Sequence, residues 1–134
     1  MIKAEDLRIG DIVRYGKNTI TILAVHANGG VCFTDGKDQL YAEDVLLEPI
    51  LLTPEILEKN GFREDVVGEC YTKSLDNETH PLARYLSVEW KSDSWAVFIK
   101  YRRLHDIALL RHIQHVHELQ HILWALGKDA ELKV

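Results

Sequence analysis

The stretch TITILAVHANGGVCFT, residues 19–34, constrains this chain more than any other. Thr19 to His26 is dense in β-branched residues, which suit the pleated, half-buried surface of a strand. Asn28-Gly29-Gly30 follows. These residues accept positive φ, so the chain reverses there and Val31 to Thr34 returns as a second strand. Leu7 to Tyr15 adds a turn at Gly10-Asp11 and a further strand. Asp35-Gly36 turns again, and Gln39 to Leu47 brings the chain back. Several short strands joined by tight turns predict a small barrel or a rolled sheet.

The pattern then changes. Thr53-Pro54-Glu55 opens a helix: Thr53 caps free amides, Pro54 suits the first helical position, and Glu55 favours the positive end of the dipole. Asn60-Gly61 stops it after two turns. Residues 84 to 101 predict a hairpin. Leu86, Val88 and Trp90 alternate on one strand, Lys91-Ser92-Asp93-Ser94 turns, and Trp95, Val97, Ile99 and Tyr101 alternate on the next. Ile107 to Leu110 is a short apolar run, a strand or a helix start. A last helix is expected from Ile113 to Leu126, stopped by Gly127, with Glu131 to Val134 as a closing strand. The fold class is therefore α+β. An SH3-like small β-barrel over residues 1–52 leads through a short linking helix to a β-hairpin-rich part, residues 53–134, closed by the C-terminal helix. At about 50 residues the first part is marginal alone, so the two are expected to share one core.

Charge excludes some partners. Sixteen basic residues stand against 21 acidic ones, a net of -5, so nothing in bulk pulls the chain toward nucleic acid or membranes. Residues 84 to 111 are an exception. Arg84, Lys91, Lys100, Arg102, Arg103 and Arg111 are interleaved with Tyr85, Trp90, Trp95 and Tyr101, a composition able to bind single strands by charge and stacking. The simpler reading puts the tryptophans in core faces and the charges in solvent. Cys32 and Cys70 match no metal spacing and read as free thiols, Cys32 as core filler. MIKAEDLRIGD lacks the apolar core of a signal peptide, and no run approaches the ~18 apolar residues of a span. The expectation is a cytoplasmic protein.

Residues 117–121 spell H-E-x-x-H. On a helix His117 and His121 share a face and can reach one zinc ion, with Glu118 polarising a water. A catalytic zinc needs a third ligand, and the extended motif would put it at position 127, which is Gly127. His105, His112, His115, His117 and His121 crowd 17 residues, so a pair four apart arises by chance. A helical wheel puts Gln114, Glu118, His121 and Ala125 on a solvated stripe and Ile113, Val116, Gln120 and Leu123 opposite, with His117 at the margin beside Trp124. His117 and Gln120 are expected to be structural polar residues held by the nearby strands, and Glu118 and His121 to be solvated and tolerant. Asp35-Gly36-Lys37-Asp38 lacks the length and the terminal glutamate of a calcium loop. No serine or cysteine sits in a nucleophile motif. No catalytic, cofactor-binding or metal-ligating residue is assigned, and no cofactor is expected.

The opening LRIGDIVRYG with AEDVLLEPILLTPEILEKNGF, and the ending VHELQHILWALGKDAEL, resemble the two ends of a family of small uncharacterised bacterial proteins of the phage and mobile-element type. That family's ending commonly reads Val-His-Gln-Leu-Gln. The resemblance places a glutamine where Glu118 stands, and glutamine cannot act as the base of a zinc hydrolase. The opening also resembles SH3-like barrels, a fold that hosts many functions. The resemblance implies a phage or mobile-element setting and no activity. The sequence reads as a non-enzymatic binding or accessory protein that engages another protein. A nucleic-acid-binding accessory is the second reading, and a zinc-dependent hydrolase through His117, Glu118 and His121 is the third.

Overall fold

The computed structural model describes residues 2–42, 47–77, 79–80, 82–102 and 107–134. They form two compact units, Met1–Leu51 with His115–Leu132, and Leu52–Gln114 with Lys133–Val134. The chain is α+β, mostly strand with two short α-helices. Among the described residues no helix is long and apolar enough to cross a membrane. Arg103, His105 and part of the Gln39 to Leu47 strand lie outside the described residues.

The first unit holds β1 (Ile12–Tyr15), β2 (Asn18–Val25), β3 (Val31–Thr34), β4 (Gln39–Ala42) and β5 (Leu47–Glu48). They form an antiparallel sheet in the order β4-β3-β2-β1-β5. The turn expected at Asn28-Gly29-Gly30 is there: Gly29 has φ 88°, and the Gly30 amide donates to Asn28 Oδ1 at 2.9 Å. Alternation puts Val13, Ile20, Ile22, Val31, Phe33 and Leu47 into one buried cluster. The strands Val31–Thr34 and Asn18–Val25 thus form as the sequence pattern dictates. Among the described strands the sheet is open, with β4 and β5 at its edges.

The last helix, α2 (Val116–Ala125), belongs to this first unit. The sequence placed it as the closure of the second part. A helical wheel shows which face of a helix is apolar but not which sheet receives it. The helix also starts three residues later than expected, because Ile113 ends a strand instead. Its entry is pinned by a bridge between Leu51 and His115.

The second unit opens with α1 (Pro54–Lys59). Thr53 Oγ1 accepts from the Ile56 amide at 3.3 Å, and Gly61, at φ 85°, ends the turn. Its sheet is a meander of β6 (Arg63–Val66), β7 (Cys70–Ser74), β8 (Arg84–Trp90), β9 (Trp95–Tyr101) and β10 (Ile107–Ile113), in the order β10-β9-β8-β7-β6. The predicted hairpin has Trp90 opposite Trp95 and Val88 opposite Val97. Leu86, Val88, Trp95 and Val97 are buried and Trp90 is half-exposed. Ile107 to Leu110 proves to be strand. Glu131 to Val134 forms no strand; instead the Lys133 amide donates to Asn60 Oδ1 at 2.8 Å and its carbonyl accepts from Asn60 Nδ2 at 2.7 Å.

Candidate functional site

The H-E-x-x-H segment is the first place to look for chemistry. His115 precedes the helix, and its backbone amide donates to Glu118 Oε1 at 3.1 Å. The same oxygen lies 2.9 Å from His115 Nδ1. Glu118 is thus drawn back into a reciprocal cap of the kind that satisfies a helix's free amides. It is half-buried, not the solvated charge the wheel suggested.

His121 departs further from expectation. Its side chain is only 15% exposed, and Nε2 lies 2.9 and 2.8 Å from the two carboxylate oxygens of buried Asp11. Asp11 Oδ2 also accepts from the Arg8 amide at 2.8 Å. The turn at Gly10-Asp11 therefore folds its carboxylate over the supposedly solvated stripe. Asp11 is a residue the sequence reading missed, since only the turn itself was legible there.

Gln120 meets the structural expectation. It is buried, and Oε1 accepts from the Ile12 amide at 2.8 Å. Nε2 donates to the Gly10 and Ala130 carbonyls, both at 2.9 Å. One side chain thus serves three backbone groups of β1, its preceding turn and the C-terminal segment. His117 is buried as well, stacked on His115 at 5.8 Å and edge-on to His121 at 5.7 Å between ring centroids. The strand partner expected for it is missing at Nδ1, which is buried with no hydrogen-bond partner among the described residues. Burial pushes its pKa below the ordinary histidine value, against the pull of the Asp11 and Glu118 carboxylates. Burial thus disfavours the charged form of the His117 imidazole. Trp124, placed beside it by the wheel, is mostly exposed and lies under the Arg8 guanidinium at 5.3 Å.

The three motif side chains are thus committed to separate tasks. His121 faces Asp11, Glu118 caps the helix, and His117 packs. Among the described residues no group of three or more His, Cys, Asp or Glu is placed to hold a metal ion.

One face of the second unit's sheet carries a connected polar group. Ser87 Oγ donates to Glu89 Oε2 at 2.8 Å, Lys100 Nζ donates to the same oxygen at 2.6 Å, and Cys70 Sγ lies 3.3 Å from Ser87 Oγ. Burial raises the Glu89 carboxyl, but the bonds from Lys100 and Ser87 outweigh it and hold the group below the usual range. Burial pushes the Cys70 thiol up, which keeps it a thiol and not the nucleophilic thiolate. A cavity of about 220 Å³ beside this group is bordered by Glu69, Glu89, Lys91 and Lys100.

The basic and aromatic residues of this unit divide between the two faces. Trp95 is buried, with Trp90 and Tyr71 packed edge-on to it, and its indole N–H donates to the Leu52 carbonyl at 3.1 Å. On the other face Arg102 lies 5.0 Å over Tyr85, and Lys100 lies 5.4 Å over Phe98 while bound to Glu89. A groove of about 460 Å³ runs past Arg63, Lys73 and Arg102, but Glu64 and Asp65 line it too.

β10 is an edge strand of the second sheet. Among the described residues it pairs with β9 and stands at one end of the strand order. Ile107 is 60% exposed, Leu109 52% and Leu110 39%. Residues from Ile107 through His112 are all exposed, and only Ile113 is buried. A bulge shifts the register between Leu109 and Arg111. An outer strand with apolar side chains can template a further strand, and a bulge limits how long such pairing runs. The sequence showed the apolar run but not its place at the edge. No family model, curated protein or solved structure matches this chain.

Proposed function

We propose that the protein is a non-enzymatic binding module that engages another protein through the open β10 edge. The setting is the cytoplasmic, phage or mobile-element one that the sequence suggests. The observation that carries this reading is the exposure of Ile107, Leu109 and Leu110 on a strand at the edge of the second sheet among the described residues. Strand addition at such an edge takes its affinity from main-chain hydrogen bonds and its specificity from alternate side chains. The first unit, read as SH3-like, is the scaffold. Its support is the strand order, in which the fifth strand returns beside the first. A photo-crosslinking residue in place of Leu109, introduced in the organism of origin, tests the proposal. A defined protein adduct is expected there, and none from the same residue at exposed Thr19. No protein adduct at Leu109, from this chain or any other, overturns it.

Nucleic-acid binding has one observation in its favour, since Tyr85, Phe98, Lys100 and Arg102 gather on one side of the second sheet. Two considerations rank it second. Lys100 is neutralised by Glu89, and both rings already carry a cation. Fluorescence anisotropy with short single- and double-stranded oligonucleotides is expected to show no binding at about micromolar protein and ~0.15 M salt. Micromolar or tighter binding that weakens steeply with salt reverses the ranking.

A further inference from the structure

We infer that Cys32 is a reactive thiol served by the His26 imidazole, a site of reversible mixed-disulfide formation with small disulfides of the glutathione type. The site lies in the first unit, on the β2–β3 hairpin, and does not depend on binding at β10. Alternation along β3 sends Val31 and Phe33 into the core and leaves Cys32 on the opposite, half-exposed face. The sequence pattern read Cys32 as core filler, and the register puts it one step off the buried face. There it stands opposite Ala24 of β2 and Tyr41 of β4. Residues directly opposite across a ladder share a face, and Ala24 adds only a methyl group to it.

The hairpin brings the imidazole to the sulfur. The His26 amide donates to the Gly30 carbonyl at 2.8 Å, and the His26 carbonyl accepts from the Gly29 amide at 3.0 Å. His26 Nε2 then lies 3.4 Å from Cys32 Sγ. Tyr41 braces the imidazole, edge-on at 5.3 Å between ring centroids. Tyr41 is itself braced. Its hydroxyl accepts from Asn28 Nδ2 at 3.3 Å, and its ring lies so close to Gly30 that a Cβ there would collide with it. A nucleophile, a base within reach and a third group orienting the base are the parts of an activated thiol. Cys70 lacks them. It is 8% exposed, its Sγ lies 3.3 Å from Ser87 Oγ, and burial pushes the thiol up. The exchange balances. Nε2 takes the Cys32 proton as Sγ attacks one sulfur of the disulfide. A new S–S bond forms, the old one breaks, and the departing thiolate takes the proton from the imidazolium. Cys32–SH and RSSR become Cys32–SSR and RSH, with the small disulfide as oxidant, and excess RSH reverses the step.

Intact-mass spectrometry of the full chain in glutathione disulfide, with peptide mapping, is the test. One adduct per chain is expected, mapped to Cys32, kept in Cys70→Ser and lost in Cys32→Ser. Its rate should exceed that of a synthetic peptide of residues 29–35, which holds the thiol without His26. An enclosed acid–base pair contributes roughly 10²–10⁴-fold, and an exposed base in competition with water should give about tenfold. His26→Gln should remove that advantage with the melting temperature retained, since His26 is exposed. Added imidazole should then restore part of the rate by supplying the missing base. No adduct, an adduct at Cys70 instead, or a rate no higher than the peptide's overturns the inference. So does a rate unchanged in His26→Gln. A loss in His26→Gln that imidazole does not restore makes His26 a mere support of the hairpin and overturns its role as base.

Discussion

In the first unit β3 alternates, with Val31 and Phe33 buried and Cys32 and Thr34 half-exposed. Helix α2 is bound to the turn and start of β1 by two hydrogen bonds of Gln120, whose third goes to the Ala130 carbonyl. In the second unit β10 buries one residue in seven and is an edge strand among the described residues. The contrast separates two uses of chemistry at misplaced-looking residues. Where a polar group is buried and saturated, as Gln120 is, it holds the fold. Where apolar groups are exposed on an edge strand, as in β10, the proposed binding has its basis. In the H-E-x-x-H segment Glu118 and His121 have their partners, while His117 Nδ1 is buried with none among the described residues.

The contrast breaks most visibly at Gln120. Gln120→Ala strands the Ile12 amide and the Gly10 and Ala130 carbonyls, and is expected to cost about 3 kcal/mol. Urea denaturation measures it, and a loss below about 1 kcal/mol would place Gln120 among ordinary surface residues. Asp11→Ala comes next, at about 2 kcal/mol, since it leaves the Arg8 amide and His121 without their acceptor. His121→Ala should cost less. The double variant should cost clearly less than the sum of the two, because both changes remove the same contact.

The pH dependence is smaller and has a definite sign. His117 is held neutral by burial, so its folded pKa lies below the unfolded value of about 6.5. The unfolded chain takes up the proton first. The stability contribution is complete above about pH 6.5 and is lost as pH falls from there through the folded value. This site adds a slope of at most about 1.4 kcal/mol per pH unit. His117→Phe should flatten the decline between about pH 6.5 and 5 in a series of melts. An unchanged slope would locate the acid sensitivity elsewhere. Least of all should happen to stability at the other side of the contrast. Leu110→Ser and Trp124→Ala lie at exposed positions, and each should stay within about 0.5 kcal/mol of the parent.

What the sequence made legible was local. Asn28-Gly29-Gly30, Thr53-Pro54 and the 84–101 alternation act within a few residues, and each formed the predicted element. Gln120 was legible because a polar residue within the apolar stripe of Ile113, Val116 and Leu123 demands partners, though not which ones. His121 was misread because its partner Asp11 stands 110 positions away. A wheel reports only the helix on which it is drawn. The run Ile107 to Leu110 reads equally well as a covered strand, since being the last strand of a sheet is a property of topology and not of composition. The docking of α2 on the first sheet was hidden for the same reason.

The bond between Gln120 and Ile12 spans 108 positions, and it sets an order of events during synthesis. When β1 to β5 leave the ribosome, the helix that will anchor to them has not been made. At about 5–20 residues per second the wait lasts several seconds, and within it the whole sheet of the second unit, translated from Leu52 to Gln114, emerges and is free to form. The Gly10 carbonyl and Ile12 amide stay bonded to water until Gln120 arrives. The first sheet therefore begins first and finishes last. A nascent chain halted with Ile113 just outside the ribosome and Gln120 still inside should hold a formed second sheet while the first lacks its anchor.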